Sequence, residues 1–361
     1  MKRIRVVQLG LGSVGSPFLQ QYLALPEPAR AGLSFVAVAD STAVLFQENG
    51  LDAPSLAAAL ETKRARRPLS AQAASHPFSL LSELVTGDEP TIVVDLTASD
   101  TTLPVLCQAA ENGCGLVLAN KRPLCAAYSI WRTLNSMGRL RYEATVGAGL
   151  PVISTLHYLQ GTGDRILRVE GALSGTLGYL FSRIEDGDSF SGALRLAHEQ
   201  RYTEPDPRDD LGGMDVARKA LILARTIGLT LELSDIAIQP LYPAEMTSLS
   251  VSDFLNQAMA MDDKYQQQRQ EAQRQRQVLR YLAQVEPGRI SIGLRSVPAN
   301  SPFGSLHGPD NLVVIHSERY TSPMRIAGPG AGTQVTAAAV LDDLLKLATS
   351  MRATNLSGRY I

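Results

Sequence analysis

The sequence predicts an α/β chain of two domains, and three observations carry that prediction. The chain opens on a short apolar run that passes directly into a glycine-rich turn and a helical pattern. From Ile4 to Ala119, strand-length apolar runs alternate with helix-length patterns, as they do where crossover helices cover a parallel sheet. Finally, 361 residues exceed what one hydrophobic core usually organises.

The first strand is Ile4 to Leu9. Gly10-Leu11-Gly12-Ser13-Val14-Gly15 follows it and opens a helix, F-L-Q-Q-Y-L. Glycines at this G-x-G-x-x-G spacing permit a tight turn and let a pyrophosphate approach the helix N-terminus, so Gly10 to Gly15 are candidate cofactor contacts. A second strand, Leu33 to Ala39, ends in Asp40. An acid there suits the ribose 2′-hydroxyl and repels a 2′-phosphate, and the next residues, S-T-A-V-L-F-Q, hold no base. That leans toward NAD; the basic run Lys63 to Arg67 reads first as solvated surface, with the alternative that it reaches the adenosine end and offsets Asp40. A third strand, Thr91 to Leu96, leads to Thr97-Ala98-Ser99, and a fourth, Gly115 to Ala119, leads to Asn120-Lys121-Arg122-Pro123. Strand ends of an open parallel sheet face the ligand crevice, which places Thr97, Ser99 and Lys121 there. Residues 1–149 therefore read as a Rossmann-type dinucleotide-binding domain. The loop Tyr142 to Pro151 closes it, and is as well suited to a plain crossover as to a cation held by backbone carbonyls.

The second domain reads as α+β over residues 150–324. It begins with the helix V-I-S-T-L-H-Y-L and a strand, Ile166 to Leu173, before Ser174-Gly175-Thr176, where Ser174 or Thr176 can cap the next helix. The densest stretch is Tyr202 to Lys219, Y-T-E-P-D-P-R-D-D-L-G-G-M-D-V-A-R-K. Two prolines fix an extended lead-in, two glycines end the loop, and a helix starts at Met214. Asp215 and Lys219 share a face of that helix, while Glu204, Asp209 and Asp210 lie on the loop before it. Such a set suits a small zwitterion with an amine to bind and an oxygen to protonate; a solvated helix with an ordinary i,i+4 ion pair fits the pattern too. Asp253 to Leu282 reads as one exposed polar helix. Val278 to Val285, Arg289 to Val297 and Asn311 to Ser317 read as strands, and Gly328-Pro329-Gly330-Ala331-Gly332 precedes a last helix.

Composition narrows the class. The chain is 45% hydrophobic and 19% charged with a net charge of −1, which argues against nucleic acid or an anionic membrane as main partner. No apolar run approaches the ~20 residues of a membrane helix, the N-terminus lacks a signal peptide's apolar block, and no histidine cluster has zinc spacing. Three cysteines, Cys107, Cys114 and Cys125, read as free thiols of a cytoplasmic protein.

E-P-D-P-R-D-D-L-G-G-M-D-V-A-R-K resembles the signature of homoserine dehydrogenase. N-K-R-P, G-T-L-G-Y, the Tyr142 to Pro151 loop and G-P-G-A-G with its T-A-A helix are similar to that family as well, so the resemblance spans nearly the whole chain except Leu51 to Ser79. One position departs: Arg201 stands where the family usually has Gly, a change expected to alter the turn after the preceding helix, since Gly takes a left-handed conformation cheaply. The resemblance implies a short, monofunctional enzyme without an aspartokinase segment, interconverting L-homoserine and L-aspartate 4-semialdehyde with NAD or NADP in threonine, methionine and isoleucine biosynthesis. It implies that Lys219 transfers the proton and Lys121 assists from the nicotinamide side. Glu204 and Asp215, with Asp210, would bind the substrate amine or orient Lys219, and Gly175 and Thr176 would line the pocket. Gly332 would contact the cofactor, and residues 325–361 would return to the first domain. A sodium ion would be held by carbonyls of Glu143, Val146, Ala148 and Leu150, and the second domain would also form a homodimer. Two other readings stay open on the residues alone: a different amino-acid aldehyde or alcohol dehydrogenase of the same build, and a cofactor-binding regulator without catalysis.

Overall fold

The computed structural model describes residues 3–357 apart from 31, 73 and 88, with only the backbone from residue 354 onward. The chain divides into two compact units, Met1–Gly149 with Gly332–Ile361, and Leu150–Ala331.

The first unit is built on a seven-stranded sheet. Its strands are β1 (Ile4–Leu9), β2 (Leu33–Ala39), β3 (Val44–Phe46), β4 (Ser75–His76), β5 (Thr91–Asp95), β6 (Gly115–Leu118) and β7 (Leu140–Arg141), in the order β4-β3-β2-β1-β5-β6-β7. Strands β2, β1, β5, β6 and β7 run parallel, whereas β3 and β4 add an antiparallel edge. Near-continuous Val, Ile and Leu runs make the central strands, because helices cover both faces of such a sheet. The V-L-F segment after Asp40 forms β3, a short strand between β2 and β4 that the sequence reading left unassigned.

Val6, Phe35, Val38, Ile92, Val94 and Val117 of this sheet share a core with Phe18 and Leu19 of the helix Gly15–Ala24. Val340, Leu344 and Leu347 of the helix Thr333–Ser357 join it, so the C-terminal segment completes the first unit. Gln21 Nε2 donates to the Gln334 carbonyl at 2.9 Å, pinning the start of that returning helix.

The second unit carries a six-stranded sheet of β8 (Ile166–Ala172), β9 (Ala237–Ile238), β10 (Gln277–Glu286), β11 (Arg289–Pro298), β12 (Asp310–Ser317) and β13 (Met324–Pro329), in the order β13-β12-β8-β10-β11-β9. Its pairs are antiparallel except β11 with β9. Because β13 pairs with β12, the return to the first unit begins at Gly332 rather than at residue 325.

The single helix expected over Asp253 to Leu282 is broken into the helix Val251–Gln257, a 3-10 turn Ala258–Met261 and the helix Asp262–Arg274. Left-handed Arg276 then turns the chain into β10, where V-L-R-Y-L-A-Q-V takes the strand period instead. The polar helix is held by few apolar residues, chiefly Tyr265, which stacks on Phe190 with ring centres 4.2 Å apart. Among the described residues no helix is long and apolar enough to cross a membrane.

Candidate active site

In the order β2-β1-β5 the strands are laid outward from β1 on one side and then, from β5, on the other, and the crevice outside the strand ends at that switch is where such sheets bind ligands. Gly10 lies there in a left-handed conformation (φ +94°), and a Cβ on it would sit 3.0 Å from the Leu96 carbonyl carbon and 3.1 Å from Thr97 Cγ2. A Cβ on Gly15 would meet the Gly10 carbonyl oxygen at 2.1 Å, so these two glycines serve close packing. Gly12 differs: a Cβ there would meet nothing within 4 Å. Its backbone faces open space, as approach of a pyrophosphate requires. Gln8, missed in the sequence reading, braces the turn by donating to the carbonyls of Gly10 (2.9 Å) and Gly15 (3.1 Å). Leu11 is a core side chain and offers only its backbone, while Ser13 is exposed and Val14 occupies the N-cap position of the helix.

Asp40 needs correction. Its Oδ1 accepts from Thr42 N, Thr42 Oγ1 and Ala43 N, and its Oδ2 accepts from Lys63 Nζ at 2.7 Å and Leu69 N at 3.1 Å. Five donors already occupy the carboxylate, so a ribose hydroxyl would have to displace one of them. Lys63 is an ion-pair partner here rather than solvated surface, and it cancels the charge on which the preference for NAD rested. The sequence left this contact open because the partner lies on the helix Ala53–Arg64, beyond any local pattern.

Thr97 and Ser99 follow β5, and Lys121, half-buried, is the first residue of the short helix Lys121–Cys125. Gly332 precedes the returning helix and accepts from Thr336 Oγ1 at 2.8 Å. The loop thought to hold a cation starts with a 3-10 turn, Glu143–Thr145, and continues through two left-handed residues, Gly147 (φ +80°) and Ala148 (φ +55°). Glu143 N donates to buried Asp343 at 2.8 Å. Glu143, Val146 and Ala148 belong to the first unit, and Leu150, whose carbonyl accepts from Val152 N, opens the second.

The second unit gathers the acid–base groups. Gly213, left-handed at φ +74°, starts the signature helix Met214–Thr226 and packs where any Cβ would strike the Tyr281 hydroxyl at 2.2 Å. One turn in, Lys219 is 8% exposed; its Nζ lies 2.8 Å from Asp215 Oδ2 and donates to the Leu173 carbonyl at 2.6 Å. The ordinary solvated ion pair is thus excluded for Lys219, because β8 and its continuation hold the amine from the other side. Ser174, not Thr176, caps the helix Gly175–Asp186 by accepting from Leu177 N. Thr176 Oγ1 is left to donate to the Tyr202 carbonyl at 2.7 Å, and Tyr202 stacks on Tyr179.

Asp210 Oδ2 accepts the Glu204 N–H at 2.8 Å and so closes the loop into a hook. Burial pushes the Asp210 carboxyl up to about 6, the charges of Glu204 and Asp215 add to this, and the Glu204 N–H and Thr176 hydroxyl oppose it. Lys219, Asp215, Asp210, Glu204, Thr176 and Gly175 therefore occur on one unit, whereas Lys121, Thr97 and the glycine loop occur on the other. Arg208, which the sequence reading left without a role, anchors the hook: it chelates Asp206 and donates to the carbonyls of Met246, Thr247 and Leu249.

An open parallel sheet with a glycine turn at its switch point, and a partner unit bearing a buried lysine among carboxylates, define a dinucleotide-dependent oxidoreductase. The chain belongs to the homoserine dehydrogenase family, oxidoreductases acting on a CH–OH group. The family model described as homoserine dehydrogenase matches residues 151–345. Homoserine dehydrogenase of Saccharomyces cerevisiae is 36% identical over 96% of this chain and 98% of that protein, and the Emericella nidulans enzyme is 35% identical over 94% and 96%. Among solved structures, a putative homoserine dehydrogenase of Archaeoglobus fulgidus superposes with a TM-score of 0.76 at 26% identity, covering 96% of this chain and 99% of that one. A hyperthermophilic archaeal homoserine dehydrogenase in complex with NADPH shares the fold at a TM-score of 0.75 and 22% identity, covering 96% and 98%.

Proposed function

We propose that this chain interconverts L-homoserine and L-aspartate 4-semialdehyde with NADP or NAD, and that Lys219 moves the proton. The observation carrying this reading is the placement of Lys219 Nζ, buried and fixed between Asp215 and the Leu173 carbonyl. When bound, the nicotinamide supplies or takes the hydride. In reduction Lys219 gives its proton to the aldehyde oxygen and its charge stabilises the forming alkoxide; in oxidation it takes the proton from the alcohol. Asp215 orients the amine. Glu204 and Asp210 attract the substrate ammonium, and Thr176 and Gly175 lie at the N-terminus of a 12-residue helix suited to the carboxylate. Lys121 works from the cofactor side.

With Asp40 neutralised by Lys63, the reading for the cofactor is that NADP and NAD are used within about tenfold of each other. The NADPH complex of the archaeal relative supports acceptance of the 2′-phosphate. The carbonyls of Glu143, Val146, Ala148 and Leu150 are hard oxygen donors suited to a sodium ion. A homodimer through the second unit belongs to the same reading, with Arg168, Glu170, Gln284 and His316 supplying both charges on one sheet face. Cys107, Cys114 and Cys125, none of them in a disulfide, fit a reducing cytoplasm.

The test is homoserine-dependent reduction of NADP and NAD followed spectrophotometrically, with Lys219→Ala beside the native chain. We expect kcat to fall by about a hundredfold or more in the variant, while the cofactor dissociation constant stays within about threefold. A near-normal kcat rejects Lys219 as proton carrier, and a native chain inert toward homoserine rejects the substrate.

A further inference from the structure

We infer that Asp95 and Asn120 form a positioning pair that sets Lys121 and Thr97 for the reaction, an inference that rests on the role proposed above for Lys121. Asp95 closes β5 and is fully buried; Asn120 follows β6 and is 2% exposed. Asp95 Oδ1 accepts from Thr97 N (2.9 Å) and Thr97 Oγ1 (2.7 Å). Its Oδ2 accepts from Thr102 Oγ1 (2.7 Å) and Asn120 Nδ2 (3.0 Å). All four donors are neutral, so a buried carboxylate is held here by hydrogen bonds alone.

A charge in that place exceeds what joining two strands requires. A neutral acceptor would link β5 to β6 with less desolvation, and strand pairing already does so through the Ala119 N–H to the Asp95 carbonyl. What the carboxylate adds is direction. It accepts only, so the Asn120 amide must turn its Nδ2 inward, where it also meets the Ser99 carbonyl at 2.7 Å. The Asn120 Oδ1 is thereby turned outward, where it accepts from Arg122 N at 3.1 Å and caps the helix that Lys121 begins. The same demand commits the Thr97 hydroxyl proton to Asp95, and the Thr97 oxygen accepts in turn from Asn120 Nδ2 (3.2 Å) and Ser99 N (3.3 Å). Asp95 thus orients two side chains at adjacent strand ends from beneath, and through Asn120 it fixes the backbone that carries Lys121.

Two variants separate this role from plain stabilisation. Asp95→Asn is isosteric but sets an amide N–H against either the Asn120 Nδ2 or the Thr97 N–H, so one of the two partners loses its acceptor and its orientation. Asn120→Ser keeps a capping oxygen yet cannot reach across to Asp95. We expect both to fold, by circular dichroism and thermal melting, and both to lose about tenfold or more in kcat with homoserine. The KM for homoserine and the cofactor dissociation constant should stay within about threefold. A second readout needs no turnover: pulse acetylation with mass spectrometry of the peptide holding Lys121 should show faster modification in both variants.

Near-native kcat and native acetylation in Asn120→Ser would overturn the pair, leaving only a helix cap. A lowered melting temperature with kcat and acetylation unchanged would reduce it to a structural tie, which also overturns it. Should Asp95→Asn fail to fold, Asn120→Ser decides. If the native chain does not oxidise homoserine, the proposed function fails instead, and the acetylation rates alone judge the pair.

Discussion

At Asp40 and Asp210, two acids of the same type are driven in opposite directions by their surroundings. Burial alone would raise the Asp40 carboxyl, but Lys63, Thr42 and the Leu69 N–H outweigh it and hold it at about 2. A depressed acid contributes stability that is present above the ordinary carboxylate range near pH 4 and is lost as pH falls toward 2. Asp40→Ala should therefore lower the melting temperature at neutral pH, and kcat/KM should shift in the same direction for NAD and NADP. A loss on NAD with a gain on NADP would restore the ribose contact.

Asp210, raised to about 6 chiefly by burial, has the reverse sign. Its folded form holds the proton more tightly than the unfolded chain does, so stability declines as pH rises through the window between about 4 and 6. Asp210→Asn should melt higher than the native protein at pH 8, with the gain shrinking toward pH 4. It should also carry an elevated KM for homoserine at every pH, whereas the native KM rises only as pH falls below about 6. A variant with native KM at pH 8 would remove Asp210 from the substrate site.

Among the elements, the helix Pro207–Leu211 cannot stand by itself, since five residues complete little more than a turn. Arg208 supplies what the turn lacks. Its guanidinium chelates Asp206, reaches three carbonyls and lies over the Phe254 ring, 5.4 Å from the centre. Lysine offers no such fork. Arg208→Lys should lower stability by about 1–3 kcal/mol and raise the KM for homoserine more than it lowers kcat, because the hook carrying Glu204 and Asp210 loosens. Steady-state kinetics and melts check this, and unchanged values in both would show that the hook holds without it.

Arg201 shows the opposite case, where an expected disturbance leaves the element intact. The residue keeps the left-handed turn (φ +60°), and the helix Phe190–Glu199 still ends with Tyr202 N bonded to the Ala197 carbonyl. Arg66 and Arg276 follow two other helices in the same left-handed conformation.

For the whole molecule the open question is assembly. The homodimer reading calls for a species near twice 38.8 kDa. Sedimentation equilibrium should find it at micromolar protein, and a single monomeric species across that range would refute it. Salt should weaken the association if charged pairs on the sheet face carry it.

The sequence by itself determined whatever depends on neighbours a few residues apart. The glycine turn after β1, the i,i+4 pairing of Asp215 with Lys219, a cap at Ser174 or Thr176, and most strands are short-range facts of this kind. The family signature is a contiguous string, so it was legible as well. Only the tertiary structure decided what each charged group does. Lys63 reaches Asp40 from a separate helix, the Leu173 carbonyl reaches Lys219 from the end of β8, and Asn120 turns toward Asp95 across a strand pair. A carboxylate reads the same in any string of letters. Its partners, and with them its charge and purpose, are set by which distant segments the sheets bring beside it.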